Sequence, residues 1–368
     1  MRTLKHKLEN ITIEYPLEHI APPDKILYLD IETTAFAAKN SSIYLIGAAY
    51  YVKDSWNIIQ WFATNYDEEK EILEEFYVFS QKFEHFIHFN GNTFDLPFIK
   101  QRGACYDIPF DFSLYGGTDI YKRIAPYKSM LHLTHCKQKN IELFLGIQRE
   151  DLFTGGELID VYKKYVENPD DIAFQALIQH NLDDMKGMLL ITPILAYHDL
   201  FHTPVKAKQA QANYYTDMNG NKKQELIMRI THPTPLPVPL SLTHNNCYYS
   251  GEGKSGALRI PLYEEEMKYF YSNYKDYYYL PTEDTAMHKA VAGFVDKAHR
   301  VPAQASTCYT RKRSTYLPEW DTTFTPFFKR EYSAKELFFE LTEEFKSDRT
   351  VFSTYAQHVL QMLAANQE

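Results

Sequence analysis

Three short stretches of this 368-residue chain place carboxylates and an imidazole at spacings that chemistry can use. Asp30 and Glu32 stand two apart at the end of the apolar run KILYLDIE (Lys25–Glu32). Side chains alternate along a strand, so both carboxylates fall on one face, where they repel unless a cation joins them. Asp95 lies in HFNGNTFDLPFIKQR, after a strand-like run and a turn, where a helical pattern opens. His180 and Asp184, in QHNLDDMKG, are four apart on a long helical segment and share a face, whereas Asp183, the competing ligand, points elsewhere. Each motif alone has an ordinary reading: exposed acids at a strand end, turn and cap residues, a satisfied helical histidine. Together they bring four acids from three separate elements, in the order D-x-E, D, H-x3-D. Hard oxygen ligands of this kind suit Mg2+ or Mn2+ rather than zinc. Two such ions about 4 Å apart activate water and steady the leaving oxygen of a phosphodiester. A histidine one helical turn from a ligand accepts the attacking water's proton.

Strands and helices must alternate to position these groups. KILYLDIE, SSIYLIGAAYYV (Ser41–Val52) and NIIQWFAT (Asn57–Thr64) read as strands, and HFIHFNG (His85–Gly91) as another ending in a turn. Helical spacing runs through Asp67–Phe83, with acids in its first turn where the helix dipole favours them, and through Phe94–Tyr106. A short helix, Lys137–Leu145, is stopped by Gly146, and a long one covers Pro169–Tyr197. This order predicts a mixed sheet covered by helices.

With these residues in place, the chain resembles the DnaQ-like (DEDD) 3'–5' exonucleases of the RNase H-like fold. It is most similar to the ribonuclease H-like exonucleases related to the proofreading domain of family B DNA polymerases. YLDIETT (Tyr28–Thr34), IYLIG (Ile43–Gly47), HFNGNTFDLPFIKQR (His88–Arg102), KNIELFLGIQRED (Lys139–Asp151) and HNLDDMKGM (His180–Met188) carry the resemblance, which spans about residues 25–197. It implies a five-stranded mixed sheet flanked by helices and two Mg2+ or Mn2+ ions. Asp30, Glu32 and Asp184 would hold the first, with Asp30 also touching the second; Asp95 would hold the second through water. His180 would orient and deprotonate the nucleophilic water, and Thr33, Asn90, Asn92 and Arg149 would lie along the substrate. The implied reaction removes 5'-mononucleotides from the 3' end of single-stranded RNA or DNA. One departure stands out. The superfamily places a tyrosine four, or a histidine five, residues before the last aspartate; here His180 stands four before Asp184.

Composition bounds the remaining possibilities. With 45% hydrophobic and 24% charged residues the chain is neither disordered nor fibrous. It contains no run of about 18 uncharged apolar residues, so no membrane-spanning helix is expected. The N-terminus has no signal-peptide core. Four cysteines without a CxxC pair read as free thiols, which places the protein in a reducing cytoplasm. The net charge of −9 is unevenly spread: residues 1–200 carry −10 and residues 201–368 carry +1. Bound metal would change the sign of the acidic half locally.

We expect two domains: residues 1–205, the exonuclease-like half, and residues 206–368, a smaller α+β domain of unrecognised fold. Residues 200–245 include HPTPLPVPL, whose alternating prolines predict an extended linker or edge element. ALRIPLY (Ala257–Tyr263) reads as a strand, and helices are expected near Thr285–His299, over Ala334–Phe345 and over Val351–Ala365. Lys268–Val291 interleaves tyrosines with lysines, and Arg311–Arg313 are three consecutive basic residues. Stacking on aromatics and basic tracking of phosphates would let this half hold a single strand; a tyrosine-rich core is the alternative. Two further readings compete with the exonuclease: an RNase H-like endonuclease or resolvase, and a non-catalytic nucleic-acid-binding protein that keeps the fold. All four acids are present, which favours an enzyme.

Overall fold

The computed structural model describes residues 1–148, 155–216 and 218–365. It divides into two compact units: Met1–Asp199 with Thr234–Val238, and Leu200–Pro233 with Pro239–Glu368.

The first unit is built from β1 (Arg2–Lys7), β2 (Ile26–Thr33), β3 (Ile43–Val52), β4 (Ser55–Phe62), α1 (Glu69–Ser80), β5 (His85–His88), α2 (Asp95–Ala104), β6 (Gly116–Asp119), α3 (Ile120–Ile124), α4 (Gln138–Phe144), α5 (Gly155–Glu167), α6 (Asp171–Ile191) and α7 (Leu195–His202). Among the described residues its sheet has six strands in the order β1-β4-β3-β2-β5-β6. β2, β5 and β6 run parallel, while β3, β4 and β1 pair antiparallel. The sixth strand is β1, whose alternating charged and apolar residues pair with the edge of β4.

Alternation along β2 decides where the acids go. Leu27, Leu29 and Ile31 pack into one core with Ile72, Leu73 and Phe76 of α1 and Phe98 and Ile99 of α2. Asp30 and Glu32 therefore emerge on the opposite face, against α6. That face is closed beside them by Tyr44, Leu45 and Phe62 packed with Leu158 and Tyr162 of α5 and Leu177 and Ile178 of α6. The sheet thus carries helices on both faces, an RNase H-like α/β fold.

Several boundaries differ from the sequence reading for identifiable reasons. The long helix expected over Pro169–Tyr197 ends at Ile191. Pro193 lacks an N–H, and the chain makes a single 3-10 turn, Thr192–Ile194, before α7. Gly146 does end α4, in the left-handed region at φ +76°. β6, with sequence GGTD, and α5 were not expected: the first carries no apolar periodicity, and the second follows residues without a strand signal.

The chain returns to the first unit through Thr234–Val238. There Thr234 Oγ1 donates to Asp199 Oδ2 at 2.6 Å, and Tyr197 Oη donates to the Val238 carbonyl at 2.7 Å.

The second unit contains β7 (Lys206–Thr216), β8 (Lys222–His244), β9 (Cys247–Phe270), β10 (Tyr277–Leu280), β11 (Thr285–His288), α8 (Lys289–Ala292), β12 (Val301–Pro302), β13 (Tyr309–Glu319), β14 (Phe327–Phe328), β15 (Leu337–Glu340), α9 (Glu343–Ser347) and α10 (Arg349–Ala365). Among the described residues these form a six-stranded sheet, β14-β15-β13-β9-β8-β7, and a small one, β11-β10-β12. β8 and β9 are joined by Asn245–Asn246, at φ +48° and +59°, the two-residue turn that matches strand twist. The proline-spaced stretch is the middle of β8. Its prolines lie beyond the last pair with β7, Lys206 opposite Thr231, so no donor to β7 is lost there.

Two expected helices are corrected. Ala334–Phe345 holds strand β15 and only then the short α9. Phe338 and Phe339 are both buried, on alternate faces of a strand that pairs with β13. Within Thr285–His299 only Lys289–Ala292 is α-helical, because Thr285–His288 pairs with Tyr277–Leu280. The four cysteines are free, and no helix among the described residues is long and apolar enough to cross a membrane.

Candidate metal centre

Three elements deliver the acids. β2 presents Asp30 and Glu32 on its α6 face. The β5–α2 turn delivers Asp95 as the first residue of α2, where the helix dipole favours a carboxylate. Asp95 Oδ1 also accepts the Ile31 N–H at 3.1 Å, which ties the turn to β2 between the other two acids. α6 contributes His180 and Asp184 from successive turns of one face. His180 Nε2 lies 3.1 Å from Asp184 Oδ2 and 3.7 Å from Glu32 Oε1. One ligand atom from each of Glu32, His180 and Asp184 falls within 4.8 Å of the others.

Asp183 is turned away from this group. Its Oδ1 accepts Gln179 Nε2 at 2.8 Å, and Lys186 stands 3.7 Å off on the same helix. The structure therefore brings Asp184, not Asp183, to Glu32.

The electrostatics show carboxylates crowded together and only partly compensated by neighbouring donors. Burial pushes the Glu32 carboxyl up to about 8; Asp184 and Asp95 add to the shift and His180 opposes it. Asp30 is held well above the ordinary carboxylate range by burial and then by the charges of Asp95, Glu32 and Asp184, with a hydrogen bond from Asn181 working the other way. Burial raises Asp95 to about 7, against the pull of the Ile31 N–H and its own. Divalent cations would relieve the repulsion and take up the ionised oxygens. The donor set, four carboxylates with one adjacent imidazole, therefore fits hard divalent ions such as Mg2+ or Mn2+.

The other expected site residues divide. Thr33 is buried, and its hydroxyl donates to the Ala35 carbonyl at 2.9 Å. Asn90 is left-handed, at φ +62°, and Asn92 is exposed; both lie on the turn that leads to Asp95. Their backbone N–H groups donate to the two oxygens of Asp119, at 3.0 and 3.1 Å. Asp119, at the end of β6, also caps α3 through the Lys122 N–H at 3.2 Å. Arg149 lies outside the described residues.

Sequence reasoning missed Asp119, whose only signal is an acid in N-cap position before IYKRI, and Asn181, next to His180. Asn181 is fully buried and donates to Asp30 Oδ2 at 2.9 Å. It also passed over Arg102, which closes the motif around Asp95. Arg102 forms a two-pronged ion pair with buried Glu69 at 2.8 and 2.5 Å, and Glu69 also accepts the Ile43 N–H and the Tyr106 hydroxyl. The pair locks α2 to α1 and the start of β3.

No curated protein sequence is significantly similar to the chain. Among solved structures, the family B DNA polymerase of the hyperthermophilic archaeon Pyrobaculum calidifontis aligns at 16% identity and a TM-score of 0.41, covering 49% of this chain and 26% of the polymerase. The zinc-bound complex of E. coli ExoI with single-stranded DNA aligns at 10% identity and 0.27, covering 56% of this chain and 54% of the other. A further structure of exonuclease I aligns at 11% and 0.29, over 62% and 55%. The chain thus spans about a quarter of the polymerase and about half of each exonuclease. Residues 27–196 match the family model of the RNase H superfamily; they hold Asp30, Glu32, Asp95 and Asp184 and all of the mixed sheet except β1 and the first residue of β2. Over residues 27–196 the chain is thus similar to the RNase H superfamily.

Proposed function

We propose that the first unit is a metal-dependent nuclease, acting as a 3'–5' exonuclease that releases 5'-mononucleotides from single-stranded RNA or DNA. The observation that carries this reading is the clustering of Glu32, His180 and Asp184, with His180 Nε2 against both carboxylates and with Asp30 close enough to feel the charges of Asp95, Glu32 and Asp184. Asp30, Glu32, Asp95 and Asp184 would hold two divalent ions, which supply Lewis acidity and a water made acidic enough to attack a phosphodiester. His180 takes the proton of the attacking water at Nε2, held on α6 one turn before Asp184. Asp95 stays oriented because its second partner is the backbone of β2. Asn90 and Asn92 would contact the substrate from the turn, whose backbone Asp119 clamps.

The second unit is proposed to hold the single strand. Arg300 lies 4.8 Å over the ring of Tyr278, and Lys289 lies 5.5 Å from it. Tyr277 stacks on Tyr271 at 4.7 Å. The basic run at Arg311–Arg313 contributes less than its sequence suggests: Arg311 pairs with Glu266 and Asp284, and Lys312 with Glu340.

Digestion of 3'- and 5'-labelled RNA and DNA oligomers with Mg2+ or Mn2+ tests the reading. Mononucleotides should appear from the 3' end and vanish with chelator, and circular single strands should resist. Cleavage of circles would make the enzyme an endonuclease, and chelator-resistant digestion would remove the metal centre from the chemistry.

A further inference from the structure

Asp30, Gly47 and Gln60 form one cross-strand row: Asp30 stands opposite Gly47 on β3, and Gly47 opposite Gln60 on β4. The glycine leaves a gap in the row, and the Asn181 amide of α6 fills it. A Cβ built on Gly47 would lie 2.2 Å from Asn181 Oδ1, a distance no side chain tolerates. Through this gap Asn181 bridges Gln60 to Asp30: Gln60 Nε2 donates to Asn181 Oδ1 at 2.9 Å, and Asn181 Nδ2 donates to Asp30 Oδ2 at 2.9 Å.

The direction of every bond in this chain is forced. Gln60 Nε2 also donates to the Ile178 carbonyl at 3.0 Å, and a carbonyl only accepts. The amide nitrogen of Gln60 therefore faces α6 and its oxygen faces His6 of β1, whose Nε2 lies 3.0 Å away and donates. The second hydrogen of Gln60 then requires an acceptor, which fixes Asn181 with its oxygen toward Gln60 and its nitrogen toward Asp30. Gln60 and Asn181 are both fully buried, so no water competes with this order. Among the described residues no other hydrogen bond reaches Asp30, and one of its two oxygens is committed to the Asn181 N–H.

We infer that Asn181 is a positioning residue for the metal centre. Its oriented N–H fixes the rotamer of Asp30, and Gly47 is present because any side chain there would expel the amide. The inference rests on the reading that Asp30 binds divalent cations. Partners of this kind around a ligating group typically change metal affinity about 10–100-fold when removed.

The test is calorimetric titration of the full-length protein with Mn2+, folding being checked by circular dichroism. The variants are Asn181→Leu, Gly47→Ala, their double mutant and His6→Ala, which alters the chain at the outer strand. Asn181→Leu should bind Mn2+ about 10–100-fold more weakly. Gly47→Ala should do the same without removing a polar group, by displacing the Asn181 amide, and the double mutant should lose little more than either single one. His6→Ala should cause a smaller loss in a normally folded protein, which keeps the test open should the buried variants fold poorly. Unchanged Mn2+ affinity in folded Asn181→Leu and His6→Ala, with tight binding by the parent, would overturn the positioning role alone. A parent protein that binds no Mn2+ would instead overturn the metal centre beneath it.

Discussion

Replacing Glu32 by Gln should change the way stability depends on pH, and in opposite senses without and with metal. Glu32 is largely shielded from water, and its carboxyl is raised from 4.5 to about 8 in the folded protein. A carboxyl raised on folding contributes stability that is fully present below its unfolded value and is lost as pH rises through its folded value. The metal-free parent should therefore lose stability between about pH 4.5 and pH 8, where the neutral Gln variant is spared. At 1.36 kcal/mol per unit, and discounting for a group shared with three other acids, the differential is on the order of 3 kcal/mol. Removing Glu32 also relieves Asp30, which acts in the same direction. For a unit of this size about 3 kcal/mol corresponds to a shift of roughly 6–12 °C. Thermal unfolding in chelator at several pH values should show Glu32→Gln gaining on the parent by about that much from pH 5 to pH 8. With saturating Mn2+ the order should reverse, since only the parent keeps the full ligand set and binding stabilises the folded state. Parallel curves for the two proteins in chelator would refute the reasoning, because they would mean that Glu32 is not held protonated by its surroundings.

Further outcomes follow from the same geometry. Asp30→Asn or Asp184→Asn should abolish digestion of labelled oligomers while circular dichroism stays unchanged; retained Mg2+-dependent activity in either would count against the site. His180→Ala should lower kcat by about 10²–10⁴-fold with a smaller effect on KM, as read from steady-state digestion rates. Arg102→Ala leaves the buried Glu69 carboxylate without its only cationic partner among the described residues and should cost about 3–5 kcal/mol in denaturant unfolding. Tyr278→Ala should weaken binding of a labelled single strand by about 1–3 kcal/mol without changing the rate of the chemical step, measured by anisotropy and single-turnover digestion.

Much of the first unit was legible in the sequence because its signals are local. A strand ending in two acids, a helix opening on Asp95 and a histidine one turn before Asp184 each follow from period and capping. The choice between Asp183 and Asp184 was also geometric, and the partners Gln179 and Lys186 account for the residue turned away. What was not legible depends on pairing at a distance. GGTD has no strand propensity and becomes β6 only because β5 offers it parallel partners. Asn181 looks like any polar helical residue until Gly47 and Gln60 are seen opposite each other. In the second unit, Leu337–Glu340 carries helix-compatible residues, and the long strand β13 captures it as a ladder partner. Tertiary context overrides propensity in such cases.

The return of Thr234–Val238 to the first unit bears on how the protein matures on the ribosome. When α7 leaves the exit tunnel, Asp199 and Tyr197 still lack the Thr234 hydroxyl and the Val238 backbone that will occupy them. The half that carries the acids cannot reach its final packing until β7 and most of β8 have been translated. A chain ending near residue 205 would lack both of these partners.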